Sequence, residues 1–66
     1  MLASKDYTYV TGTIVRETEM AILFLSENSD EVWIPKSQIE EPEEFDIGEV
    51  TQLLIPSWLA RDKGLA

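Results

Sequence analysis

The stretch Val32-Trp33-Ile34-Pro35-Lys36-Ser37-Gln38-Ile39 decides the fold, because it contains a strand, the end of that strand and a corner. β-Branched and aromatic residues follow a polar segment here, so a short strand is predicted over 32–34. Pro35 has no N–H for a strand ladder, and the strand is therefore expected to end there. The next three residues suit one 3₁₀ turn, which returns Ile39 to the core.

Trp33 marks the second face of this strand. Side chains alternate along a strand, so Trp33 points away from Val32 and Ile34. If Val32 and Ile34 face the core, Trp33 lies either under the C-terminal helix or on the surface.

The remaining elements follow from patterning. Strands are predicted over 7–17, 20–26 and 50–55, where β-branched, aromatic and aliphatic residues are concentrated. Pro56 is expected to open a helix over 57–63, because proline fits the first turn, and Gly64 suits the position after its end. The predicted order is β-β-β-3₁₀-β-α. Gly12 within the first strand suggests a bend, a bulge or a close backbone crossing.

The segment 20–26 is apolar on both faces, so both faces are expected to be covered. A helix is the rival prediction for this segment, but the short spacing to the flanking strands argues against it. One face, with Ala21, Leu23 and Leu25, is assigned to the core. The other face then needs a helix, a partner subunit or another protein as cover. The predicted core is Val10, Ile14, Leu23, Leu25, Ile34, Ile39, Leu53 and Ile55.

Length and composition indicate one domain spanning 1–66, with residues 1–6 expected to be frayed. A chain of 66 residues buries only about 60% of its unfolded surface, so its stability is marginal without an efficient core or an oligomer. The chain contains no cysteine and no histidine. Disulfides and a structural zinc site are therefore excluded, and no metal or cofactor is expected.

The charge of the chain argues against several functions. Thirteen acidic residues stand against 5 basic ones, and the formal net charge is −8. Binding to nucleic-acid phosphates depends on Lys and Arg, so direct binding to duplex DNA is not expected. No apolar run is long enough to span a membrane, and residues 1–6 lack the apolar segment of a signal peptide. The cytoplasm is the expected compartment.

Three groups of residues deserve a functional interpretation beside a structural one. The acidic run 40–49 is expected to be a solvated loop, with a mimic of nucleic acid or a metal site as alternatives; it lacks the ligand spacing of a calcium loop. Ser37 beside Lys36 is expected to cap the corner, because no oxyanion hole or flanking motif supports acyl transfer. The aromatic residues are expected to pack in the core or at an interface, although a stacking platform for single-stranded nucleic acid uses the same residue types.

Two separated motifs resemble a known group of proteins. They are Trp33-Ile34-Pro35-Lys36-Ser37-Gln38-Ile39 and Ile55-Pro56-Ser57-Trp58-Leu59-Ala60, the latter followed by Lys63-Gly64-Leu65. In this order they resemble small, mostly uncharacterised proteins of bacteria and their phages, over the second half of the chain and more loosely around Gly12 and 21–25. Genes of that group often lie near phage recombination or replication genes, so the resemblance implies a role near nucleic-acid metabolism. It implies no catalytic residue.

The sequence thus predicts a mainly β fold, a small SH3-like barrel of four to five strands with a 3₁₀ corner and a short C-terminal helix. An OB-like barrel is the alternative. The expected function is a non-enzymatic module that binds another protein; the alternatives are an acidic mimic that inhibits a DNA-binding enzyme and a weak binder of single-stranded nucleic acid. A homodimer is expected, because the second apolar face of 20–26 needs cover. The interface candidates are Met20, Ile22, Phe24, Trp33 and Trp58.

Overall fold

The order of the elements is as predicted. The computed structural model describes residues 6–65. Its elements are β1 (Tyr7–Glu17), β2 (Ala21–Ser26), β3 (Glu31–Pro35), a 3₁₀ turn (Lys36–Gln38), β4 (Val50–Pro56) and α1 (Ser57–Asp62). The predicted frayed segment 1–6 lies outside the described residues except for Asp6, whose carbonyl accepts a hydrogen bond from the Ser57 N–H at 3.0 Å.

The four strands form one antiparallel sheet in the order β3-β2-β1-β4. β1 is the longest strand and has two partners: its first half pairs with β4, from Tyr7 to Thr13, and its second half pairs with β2, from Gly12 to Glu17. The mainly β class, the 3₁₀ turn and the short helix are therefore confirmed. The pairing of the described strands does not return from β4 to β3, so this sheet is open.

The segment after the 3₁₀ turn crosses to the far edge of the sheet. The Glu40 N–H donates to the Leu54 carbonyl at 2.8 Å, and the Leu54 N–H donates to the Glu41 carbonyl at 2.9 Å. These bonds form an isolated bridge on the outer edge of β4. The chain then returns through the loop 42–49, where Gly48 has a φ of 87° and its N–H donates to the Ile14 carbonyl at 2.8 Å.

The core lies between one face of the sheet, here called the inner face, and α1. Its buried residues are Val10, Ile14, Ile22, Phe24, Ile34, Leu53, Ile55, Leu59 and Ala60. α1 is too short to be stable alone in water, so its stability comes from the burial of Leu59 and Ala60. Its C-terminus is closed as predicted: Gly64 has a φ of 73°, and the Leu65 N–H donates to the Ala60 carbonyl at 2.7 Å.

The predicted face of β2 is wrong. Ile22 and Phe24, which were expected on the second face at a dimer interface, are fully buried in the core of the subunit. Leu23 and Leu25, which were expected in the core, are half-buried on the opposite face. The other predicted core residues of the strands, Val10, Ile14, Ile34, Leu53 and Ile55, are buried as expected, and Ile39 is half-buried and packs against them.

A β-bulge in β1 explains this error. Near the hairpin, Arg16 pairs with Leu23 and Glu17 with Ile22, whereas Ile14 pairs with Phe24. In a regular ladder that kept the pairing of Arg16 with Leu23 and had no bulge, Val15 would pair with Phe24 and Ile14 with Leu25. A one-residue shift moves every side chain of a strand to the other face, and the bulge supplies that shift.

Candidate interaction surface

The face of the sheet opposite the core, here called the outer face, carries the apolar residues of β2 that the core does not use. Leu23 lies opposite Trp33 on β3 and opposite Arg16 on β1, while Ala21 lies opposite Pro35. Directly opposed residues share a face, so these side chains form one continuous surface. The surface is apolar in its middle and ends at a cation on the β1 side.

A shallow groove of about 520 Å³ lies at the start of β2. Its apolar lining consists of Met20, Ala21, Trp33 and Pro35, and its other lining residues are Glu19, Lys36, Ser37 and Lys63. These residues are called the Trp33 groove below. Met20 is 74% exposed and Trp33 is 44% exposed, although both are large and apolar.

The predicted interface residues are therefore divided between different parts of the molecule. Met20 and Trp33 lie together in the Trp33 groove. Ile22 and Phe24 are in the core and have no surface to offer a partner. Trp58 is 50% exposed on α1 and is not part of the groove lining.

The structure also adds residues that sequence reasoning had placed in the core, namely Leu23 and Leu25. The signal that β2 has an apolar surplus was present in the sequence, since both of its faces are apolar. Which of the two faces of β2 packs in the core depends on the bulge between Ile14 and Arg16 in β1. No pattern of residue types in the sequence indicates that bulge.

The stacking platform, which was the alternative to core or interface packing of the aromatic residues, is not assembled within residues 6–65. Phe24 is buried, and Trp33 lies on the edge strand β3. Tyr7 and Tyr9 are exposed on the half of β1 that pairs with β4 rather than with β2. A base stack needs neighbouring rings, and the sheet separates these residues.

The acidic loop forms a second depression, of about 490 Å³. Ile39, Pro42 and Phe45 line it, together with the carboxylates Glu17, Glu40, Glu43 and Glu44. Lys36 provides a cation at this site: its Nζ lies 2.6 Å from Glu17 Oε2 and 5.7 Å from the centre of the Phe45 ring. Within residues 6–65, no group of three or more acidic side chains is placed to hold a metal ion.

All 13 acidic side chains are exposed to solvent. Among residues 6–65, the Glu17–Lys36 pair is the one ion pair within 4.0 Å. One carboxylate has another kind of partner: the Tyr9 hydroxyl donates to Glu41 Oε1 at 3.1 Å. This hydrogen bond to Glu41, and then the negative charge of Glu41, raise the pKa of the Tyr9 hydroxyl above its usual value.

No family model, curated protein or solved structure matches this chain. The resemblance to small bacterial and phage proteins therefore stays a prediction. In the part of the chain that the structure describes, no helix is long and apolar enough to cross a membrane.

Proposed function

We propose that the protein is a non-enzymatic module that binds a partner protein through the Trp33 groove and the adjoining side chains of β2. The observation that carries this proposal is the exposure of Met20 and Trp33 beside half-buried Leu23 and Leu25, on a sheet whose core is already complete on its other face. Contiguous apolar surface that the fold does not need commonly marks an interaction site. Tryptophan is also among the residues that most often dominate binding energy at interfaces.

The surroundings of Ser37 support a non-enzymatic role. Lys36, the neighbouring candidate base for acyl transfer, has its ammonium group bound to Glu17 and placed near the Phe45 ring. A nucleophile needs a free base within hydrogen-bond reach, so this geometry argues against acyl transfer by the pair. The predicted capping of the corner by Ser37 is not seen either, since the 3₁₀ turn has no side-chain cap hydrogen bond.

Affinity isolation with three forms of the protein tests the proposal. We expect the wild-type chain to recover one stoichiometric protein from its host, and Trp33→Ser to lose it. Trp58→Ser is the matched control, because it removes an exposed tryptophan of similar accessibility from α1. Loss of the partner in Trp58→Ser with retention in Trp33→Ser would contradict the proposal. Circular dichroism of each variant shows whether it is folded.

A second candidate function is an acidic inhibitor that occupies the basic cleft of a DNA-binding enzyme. The exposed carboxylates around the depression of the loop 39–49 favour it. Clefts of one charge attract surfaces of the other, and this attraction weakens with salt. The double change Glu43→Gln, Glu44→Gln would then abolish binding to the isolated partner while Trp33→Ser left it intact, which is the opposite of the first proposal.

We also propose that the bent sheet is an SH3-like barrel left open at β3, with an OB-like arrangement as the alternative. The division of β1 between two partner strands and the bridge from Glu41 to Leu54 support it. Solution NMR contacts between the backbones of Glu40 and Leu54 test the bridge. The cytoplasmic location and the link to DNA metabolism stay predictions from the sequence.

A further inference from the structure

Among residues 6–65, β3 is an edge strand whose central backbone groups on the outer side have no hydrogen-bond partner. In the described part of the chain, β2 is the one strand that pairs with it. Hydrogen bonds from the Lys36 N–H to the Met20 carbonyl and from the Ser26 N–H to the Asp30 carbonyl, both 2.8 Å, bracket the β2–β3 ladder. Bonding alternates along an antiparallel pair, so Val32 and Ile34 bond to β2. The N–H and carbonyl of Trp33 therefore point away from the sheet.

We propose that β3 pairs antiparallel with β3 of a second copy, with the two-fold axis beside Trp33. Trp33 and Trp33 of the partner subunit then exchange both of their backbone hydrogen bonds. At each end of the pair, the Glu31 N–H donates to the carbonyl of Pro35 of the partner subunit. Pro35 has no N–H to donate, but in this register only its carbonyl takes part, as the acceptor of the bond from Glu31.

The charge of β3 is compatible with this register. Glu31 is the one charged residue of β3, and it lies opposite Pro35 of the partner subunit. No like charges therefore face each other within the paired strands. An axis beside Glu31 would place two glutamates opposite each other, and an axis beside Pro35 would leave the central pair without a donor. Because Trp33 is the middle residue of β3, its register also overlaps the whole strand.

Pairing of the edges extends the outer face across both subunits. The two Trp33 side chains become cross-strand neighbours, an arrangement in which aromatic pairs stabilise a sheet. Each subunit then contributes its tryptophan to a surface that also includes the Trp33 groove of the other. This inference depends on the free edge of β3 and stands whether or not the groove binds a further protein.

Sedimentation equilibrium from micromolar to near-millimolar concentration tests the inference first. We expect the wild-type chain to show a dimer mass in this range. We expect Trp33→Pro to raise the dimer dissociation constant by at least about tenfold, because it removes both central donors while leaving the β2–β3 bonds of Val32 and Ile34 in place. A wild-type monomer mass over the whole range would overturn the inference.

Cross-linking distinguishes this dimer from one formed by the outer faces. The chain has no cysteine, so a single introduced one reports only on its own position. Hydrogen-bonded antiparallel pairs have Cα atoms about 5.5 Å apart, which is within disulfide range. Under mild oxidation we expect Trp33→Cys to form a covalent dimer and the exposed control Met20→Cys to stay monomeric in denaturing gels. The reverse pattern would overturn the proposed pairing even if the protein is a dimer.

Discussion

Gly12 and Phe24 set the close packing between β1 and β2. A Cβ at Gly12 would lie 2.7 Å from Phe24 Cζ and would also clash with the Leu25 carbonyl oxygen. The ring of Phe24 is fully buried over this position. The absence of a side chain at Gly12 therefore makes room for the largest residue of the core. Of the alternatives expected at Gly12, the structure shows close packing, against the Phe24 ring and the Leu25 carbonyl, while the β-bulge lies further along β1, between Ile14 and Arg16.

Phe24→Ala is expected to lower the free energy of unfolding by about 3–5 kcal/mol, because it removes a fully buried ring and leaves a cavity. A small domain has only about 5–15 kcal/mol in total, so this loss is a large fraction of its stability. Leu23→Ala is the matched control, since Leu23 is half-buried on the outer face. Urea denaturation measures both. An equal or larger loss for Leu23→Ala would place Leu23 in the core after all.

At the scale of elements, the crossing segment 39–41 connects the two edges of the sheet. It leaves the 3₁₀ turn beside β3 and ends on β4 through the backbone bonds of Leu54. The hydrogen bond from Tyr9 to Glu41 ties the same segment to β1. The crossing segment is thus held to the sheet by the bridge to Leu54 and by the Tyr9 hydroxyl, and the acidic loop that follows it is attached again through the bond from Gly48 to Ile14.

The pKa of Tyr9 tests this connection. In a Tyr7→Phe background, phenolate absorbance in the ultraviolet should show Tyr9 titrating above the usual phenol value of about 10. The folded-state pKa is raised, so the contribution of this bond to stability is complete below about pH 10 and is lost as pH rises through the folded pKa. Glu41→Gln removes the negative charge and should lower the pKa again. An unchanged titration in Glu41→Gln would show that the bond does not form in solution.

At the scale of the whole molecule, the acidic side chains and the closely packed apolar side chains occupy different regions. The apolar residues form a core on one face of the sheet and a smaller surface on the other, while all 13 carboxylates lie in solvent. With a net charge of −8, the molecule repels anions over several ångströms at moderate salt. Partners are therefore expected to be neutral or basic on the side that they present.

Binding to duplex DNA is accordingly expected to be undetectable near physiological salt, because 5 basic residues against 13 acidic ones are too few to neutralise a phosphate backbone. A mobility-shift assay measures this, with the Glu43→Gln, Glu44→Gln variant as a less acidic comparison. Micromolar binding by the wild-type chain would contradict the prediction and would favour the exposed aromatic residues as a nucleic-acid surface.

The sequence by itself determined the order of the elements. It also determined which face of β1, β3 and β4 packs in the core. Pro35, Pro56 and Gly64 mark ends that depend on local backbone chemistry, so their positions follow from residue type. Val10 and Ile14 were predicted correctly as core residues because the other face of β1 carries mostly tyrosines and threonines. Leu53 on β4 lies directly opposite Val10, so it shares the same face of the sheet.

Only the tertiary structure decided the face of β2 and the state of the sheet edges. β2 is apolar on both sides, so alternation defines two sets of residues without saying which set meets Ile14. The bulge before Arg16 shifts the register by one residue and puts Phe24 there, leaving Leu23 outside. The free edge of β3 is likewise a property of strand order, which depends on contacts between residues far apart in the chain. Local patterns report backbone preference, but register and edge exposure are set by pairing across the sheet.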